Sequence, residues 1–234
     1  MLAINPPAPA TAPTRTIVEV VRANAQTHPE KLALVCDDTS ISWGEFDQQI
    51  NKIANLLLSM GVAKGDNIAI ISPNSIPYAA LFMGILRAGA CVTPLSTMAS
   101  PDALQKMLTD CDAKAIFVAA QYLDLVEGFV TDLDIARFAL DFDHPAFQLF
   151  GAAVEKADAT DPDISIDMSD AFNLIYSSGT TGTPKGILHN HWMRAAQMDR
   201  VSPNGYDDDA RTLLSTPLYS NTTIVSFLPT LYGG

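Results

Sequence analysis

The chain has 234 residues, 48% hydrophobic and 17% charged, a composition that excludes a disordered or low-complexity protein. Its net charge of −12 argues against nucleic acid or an anionic membrane as the main partner, since a surface of that sign repels both. Cys36, Cys91 and Cys111 are odd in number and share no CxxC spacing, so they read as reduced thiols of a cytoplasmic protein. No charged-then-apolar signal segment opens the chain. The most apolar stretch, residues 68–95, is broken by Pro73, Pro77, Arg87 and Pro94, so no transmembrane segment is expected.

Residues 1–13 form a Pro/Ala leader with little to pack, expected to be loosely ordered. Thr16 and Glu19 have capping-box spacing and predict a helix that ends near His28-Pro29. Residues 31–36 and 39–42, separated by Asp37-Asp38, predict a hairpin. Ser42 and Glu45 make a second capping box, followed by Phe46, Ile50, Ile53, Leu57 and Met60 at helical spacing and by Gly61 as a stop. Strands are then expected at 67–72, 90–93 and 114–119. Helices are expected from Asn74 or Ser75 to Arg87, from Ser100-Pro101, and over Tyr122–Val130. This alternation predicts an α/β fold with a mostly parallel sheet flanked by helices.

The acidic segment 158–163, with Asp167 and Asp170, lacks the central glycine and terminal glutamate of an EF-hand and reads as a solvated linker. It divides the chain into a first α/β subdomain, 14–165, and the start of a second, 166–234. After it come a helix near His191–Val201, a strand over Thr212–Ser215 and an apolar helix over Thr222–Tyr232. His189 and His191 alternate, but no further ligand stands at metal spacing, so no metal site is assigned to them.

The most informative segment is Tyr176-Ser-Ser-Gly-Thr-Thr-Gly-Thr-Pro-Lys185, between the apolar runs 171–176 and 186–189. Its glycines let a backbone approach phosphate and turn N–H groups inward. Its hydroxyls donate to phosphate oxygens, and lysine adds a compact charge. It is not a P-loop: Gly179 and Gly182 are three apart, Pro184 precedes the lysine, and Gly186 stands where that motif has a hydroxyl. Pro184 also disfavours a helix start, so phosphate would be gripped by the loop and its side chains. A Gly/Ser/Thr surface linker is the alternative, and the apolar flanks and closing lysine weigh against it.

This string resembles the signature phosphate loop of the adenylate-forming superfamily, which includes acyl- and aryl-CoA synthetases, firefly luciferase and nonribosomal adenylation domains. Two more segments resemble family motifs in the family's order. Leu81-Phe-Met-Gly-Ile-Leu-Arg-Ala-Gly-Ala-Cys-Val-Thr-Pro-Leu95 is similar to an early Gly-Ala-Gly motif, and Ser215-Thr-Pro-Leu-Tyr-Ser220 to a motif lining the acyl pocket. The resemblance implies the N-terminal fragment of a two-domain adenylate-forming enzyme, an AMP-forming carboxylate–CoA ligase using ATP, Mg2+ and coenzyme A.

It further implies that Ser177, Ser178, Gly179, Thr180, Thr181, Gly182, Thr183 and Lys185 bind the nucleotide phosphates, Lys185 with an auxiliary catalytic role. Tyr219, Ser220 and Asn221 would line the pocket of a small-molecule carboxylic acid. Many relatives carry histidine at the position of Ser220, so the substrate class stays open. The family's later adenine, ribose and adenylation-lysine elements do not occur before Gly234. A C-terminal portion is therefore expected to be missing, and the 234-residue chain alone to be inactive. Two alternatives remain: an adenylation domain loading a carrier protein, and a non-catalytic module on a decayed synthetase fold.

Overall fold

The computed structural model describes residues 13–177, 184–201 and 205–234; residues 1–12 of the leader lie outside them. Helix α1 (Ile17–Thr27) starts as expected, with the Thr16 hydroxyl accepting from the Glu19 N–H and the Glu19 carboxylate accepting from the Thr16 N–H. Strands β1 (Leu32–Cys36) and β2 (Thr39–Ser42) pair antiparallel across a two-residue turn, where Asp37 takes the left-handed conformation at φ 53°. Ser42 and Glu45 form the second capping box, opening α2 (Trp43–Ser59).

A strand–helix alternation follows: β3 (Asn67–Ile71), α3 (Ile76–Arg87), β4 (Cys91–Pro94), α4 (Pro101–Asp110) and β5 (Ala115–Val118). Ser75, not Asn74, caps α3, accepting from the Tyr78 N–H at 3.1 Å. The expected helix over 122–130 splits into a 3-10 turn (Ala120–Leu125) and the one-turn α5 (Glu127–Val130). Three elements were not anticipated: β6 (Ala136–Ala139), β7 (Gln148–Leu149) and α6 (Phe150–Glu155). The apolar run of β6 is interrupted by Arg137, and β7 and α6, at two and six residues, are too short to carry a periodic pattern. The chain closes with β8 (Ala171–Ser177), β9 (Lys185–Asn190), α7 (His191–Val201) and α8 (Asn221–Gly233).

Strands β3 to β9 form one sheet in the order β7-β6-β5-β3-β4-β8-β9, parallel throughout except for the antiparallel β8–β9 pair. Central β3 is buried on both faces, and its alternating residues feed two separate cores. Ile68 and Ile70 pack with α1, α2, α3 and α8, while Ala69 and Ile71 pack with α4 and α5. The fold is therefore a helix–sheet–helix sandwich whose last strands, β8 and β9, carry the candidate phosphate loop.

One expectation is corrected. Residues 212–215 are not a strand: no neighbouring strand offers them a ladder, and Leu213 is 89% exposed. Instead the segment runs alongside α8, with Thr212 bonded to Thr230 and Thr216 to Thr223 through their hydroxyls. The acidic connection over 158–170 has no helix or strand and is mostly exposed, as expected of a solvated linker, and side chains pin it to the fold. Arg22 pairs with Asp161, and Lys64 holds Asp170 at 2.7 Å and Asp167 at 3.3 Å. Asn55 donates to the carbonyls of Asp158 and Thr160 at 2.9 and 2.7 Å.

Candidate nucleotide and substrate site

The β8–β9 ladder ends on the pair Ser177 and Lys185, so these two residues face each other at the mouth of the connecting loop. Both are exposed, and the Ser177 Oγ lies 3.5 Å from the Lys185 carbonyl oxygen. Lys185 opens a strand rather than a helix. Ser178, Gly179, Thr180, Thr181, Gly182 and Thr183 lie outside the described residues. The mouth thus presents one hydroxyl and one ammonium to solvent, a pair suited to phosphate oxygens.

The hairpin base is anchored by Tyr176, which pairs with Gly186 across the ladder. Its ring lies so close to Gly186 that a Cβ there would meet Tyr176 Cε1 at 3.4 Å and Leu174 Cδ1 at 3.0 Å. The Tyr176 hydroxyl donates to the Asp110 carboxylate at 2.6 Å and lies 3.1 Å from the Met107 carbonyl, both on α4. Burial, and then the Asp110 bond, push this phenol above the ordinary tyrosine range. A β8 side chain on the α4-facing side of the sheet thereby ties the hairpin to α4.

Tyr219 and Ser220 are half-buried before α8, and Asn221 is its exposed first residue. Ser220 caps this helix, its hydroxyl accepting from the Thr222 N–H at 3.3 Å. The turn before it is bracketed by Asn74, which donates to the Thr216 carbonyl and accepts from the Leu218 N–H, each at 2.8 Å. Tyr78 on α3 is fully buried with no partner for its hydroxyl among the described residues. Burial raises its pKa, with Tyr219 a second contributor.

Sequence reasoning missed Arg194. This α7 side chain is 2% exposed and donates to three amide oxygens: Asn173 on β8 at 2.9 Å, Gln197 at 3.1 Å and Asn221 at 2.9 Å. Its Cζ lies 6.0 Å from the Phe172 ring centroid. Burial lowers its pKa to about 10, so it stays charged at neutral pH. Among the described residues no hydrogen bond joins the loop mouth to Tyr219–Asn221 directly; the connection runs along β8 to Asn173 and through Arg194. An arginine in a polar helix stretch carries no local signal of burial, so only the partners could reveal it.

His191 is 1% exposed, edge-on to Phe172 with ring centroids 5.0 Å apart, and burial pushes its pKa down to about 4. Burial, then the charge of Arg194, lowers His189. Among the described residues no group of three or more His, Cys, Asp or Glu side chains could hold a metal, and no helix is long and apolar enough to cross a membrane. Cys91 and Cys111 are buried free thiols, pushed up to about 12 and about 11 chiefly by desolvation, and are poor nucleophiles at neutral pH. Cys36 is free and half-buried.

The fold has solved counterparts. The N-terminal domain of FACL13 from Mycobacterium tuberculosis superposes with a TM-score of 0.80 at 22% identity, covering 94% of this chain and 56% of that one. The architecture is that of the N-terminal domain of adenylate-forming enzymes. The chain belongs to the AMP-binding enzyme family, which it matches over residues 21–234.

Among curated relatives, the long-chain-fatty-acid–CoA ligase FadD13 of Mycobacterium tuberculosis is 28% identical over 177 residues, 74% of this chain and 34% of the ligase. A dimodular nonribosomal peptide synthase of Bacillus subtilis is 25% identical over 173 residues, 74% of this chain and 7% of the synthase. The chain thus spans about a third of the length of the ligase it matches.

Proposed function

We propose that this chain is the N-terminal part of an AMP-forming carboxylate–CoA ligase. A carboxylate is a poor electrophile, and its mixed anhydride with AMP is a good one. In the proposed reaction the carboxylate oxygen attacks the ATP α-phosphorus and pyrophosphate leaves. The coenzyme A thiol then attacks the acyl carbon and AMP leaves. Ser177 and Lys185, with Ser178, Thr180, Thr181 and Thr183 of the loop, bind the β- and γ-phosphates and stabilise the departing pyrophosphate. Gly179 and Gly182 let the backbone close on those phosphates. Magnesium is taken to arrive chelated by the nucleotide, and no described side chain is assigned to it. Tyr219, Ser220 and Asn221 form the wall of the acid pocket. A cytoplasmic location fits three free thiols.

The observation that carries this reading is the family match over residues 21–234, together with an antiparallel strand pair that sets Ser177 opposite Lys185 at the mouth of the loop. The test is pyrophosphate release by the full-length gene product with ATP, Mg2+, a panel of carboxylic acids and coenzyme A. Lys185→Ala is expected to lower the adenylation rate about 100-fold, the scale for removing one group that stabilises transition-state charge. Unchanged pyrophosphate release would sink that role. The 234-residue chain alone is expected to release none. The match to a nonribosomal synthase favours a second reading, transfer to a carrier protein, which a comparison of carrier protein with free coenzyme A as acceptor decides.

A further inference from the structure

The Arg194 cage invites a question that stability alone does not answer. A guanidinium taken out of water loses hydration free energy, and exchange for a well-packed apolar side chain is often neutral or stabilising. Here the charge is kept, and among the described residues no carboxylate lies within ion-pair distance of it. It sits at the N-terminal end of α8, where the helix dipole is also positive. What the guanidinium does accomplish is orientation. It has no acceptor atom, so each amide that faces it must turn its oxygen inward, and the O/N assignment of Asn173, Gln197 and Asn221 is settled by chemistry.

Two donors are thereby aimed away from the cage. Asn173 is wholly buried, and its Nδ2 has no acceptor among the described residues. Asn221 is exposed beside Tyr219 and Ser220, with Oδ1 tied 2.9 Å from Arg194 Nη2 and Nδ2 on the opposite side of the amide group. Donation from a cation to Oδ1 also polarises the amide and strengthens its N–H groups as donors.

We propose that Arg194 is a positioning residue that presents Asn221 Nδ2 as a fixed donor in the acid pocket. The acid bound there carries a hydrogen-bond acceptor, such as a hydroxyl or carbonyl oxygen, in addition to its reacting carboxylate. The inference rests on the reading of Tyr219–Asn221 as the pocket wall. A donor held in place rewards a substrate that reaches it and penalises the analogue that leaves it unpaired.

The experiment uses the full-length gene product and matched acid pairs: 3-hydroxybenzoate with benzoate, and an ω-hydroxyalkanoate with the alkanoate of equal length, each followed by pyrophosphate release. The acceptor-bearing member of at least one pair is expected to show a kcat/KM about tenfold higher or more. Asn221→Leu, at an exposed position, is expected to erase that preference with the KM for ATP unchanged. Arg194→Lys keeps the charge but loses the three-way fork, and is expected to weaken the preference, again without moving the KM for ATP. Equal use of both members by the native enzyme, or a preference that survives Asn221→Leu, overturns the inference. Turnover without preference refutes the inference alone, whereas no pyrophosphate with any acid refutes the ligase reading beneath it.

Discussion

Gly84 sits in the α3 stretch that resembles an early family motif, and its role can be calculated. A Cβ built there would meet Ile53 Cγ2 at 2.5 Å, Ile53 Cβ at 2.6 Å and the Ile50 carbonyl oxygen at 3.2 Å. Normal carbon contacts lie at about 3.5–4.0 Å, so α2 and α3 would have to separate by roughly 1 Å. Overpacking of that kind costs about 3 kcal/mol, the upper end of the usual range, because Ile53 Cβ is rigid and Ile50, Ile53 and α3 around Gly84 are buried. Gly→Ala in a helix returns about 1 kcal/mol of propensity, leaving a net loss of about 2 kcal/mol. At roughly 2–4 °C per kcal/mol for a chain of this size, Gly84→Ala should lower Tm by about 4–8 °C in a thermal scan followed by circular dichroism. Gly128→Ala is the control: a Cβ at that helical position meets nothing within 4 Å, so Tm should hold or rise. Adding Ile53→Val should not rescue Gly84→Ala, since valine keeps the clashing Cβ. Equal Tm values for the two glycine variants, or rescue by valine, would refute the packing argument.

Other expectations follow from single contacts. Tyr176→Phe removes the bond to Asp110 and should cost about 1–2 kcal/mol in urea unfolding, the scale for a hydrogen bond to a charged acceptor; Asp110→Asn should recover less than half of the native bond. His191 is held neutral by burial, so between pH 6.5 and about 4 the unfolded chain binds a proton that the native one does not. Stability should therefore be present above pH 6.5 and fall by about 3 kcal/mol on acidification to pH 4, and His191→Gln should flatten that slope in urea titrations. Lys64→Ala removes two ion pairs made by an exposed lysine and should leave global stability almost unchanged. Its effect should appear instead as faster proteolysis within residues 158–170, and unchanged cleavage there would refute the clamp.

The contrast between what was legible and what was not follows the range of the interactions. Both capping boxes, the Asp37-Asp38 turn and the five alternating elements from β3 to β5 are encoded within a few residues of themselves, and all formed where expected. The second strand of the candidate site was legible for the same reason: the apolar run 186–189 lies in β9, which begins at Lys185. Thr212–Ser215 failed because β-propensity describes a fit to neighbouring strands, and this segment has none beside it. Arg194 failed because burial of a charge is decided by where its partners lie, and Asn173 and Asn221 are 21 and 27 residues away.

By itself, then, the sequence determined the class of fold, the capping boxes that open α1 and α2 and the family resemblance, since each depends on residue types at short fixed spacings. Only the tertiary structure decided that β8 joins β4 and is edged by antiparallel β9, that Tyr176 is tied to α4, and that one buried guanidinium links β8 to the start of α8. Those features arise from side chains brought together across long separations, where packing and hydrogen-bond geometry, not local pattern, choose the partner.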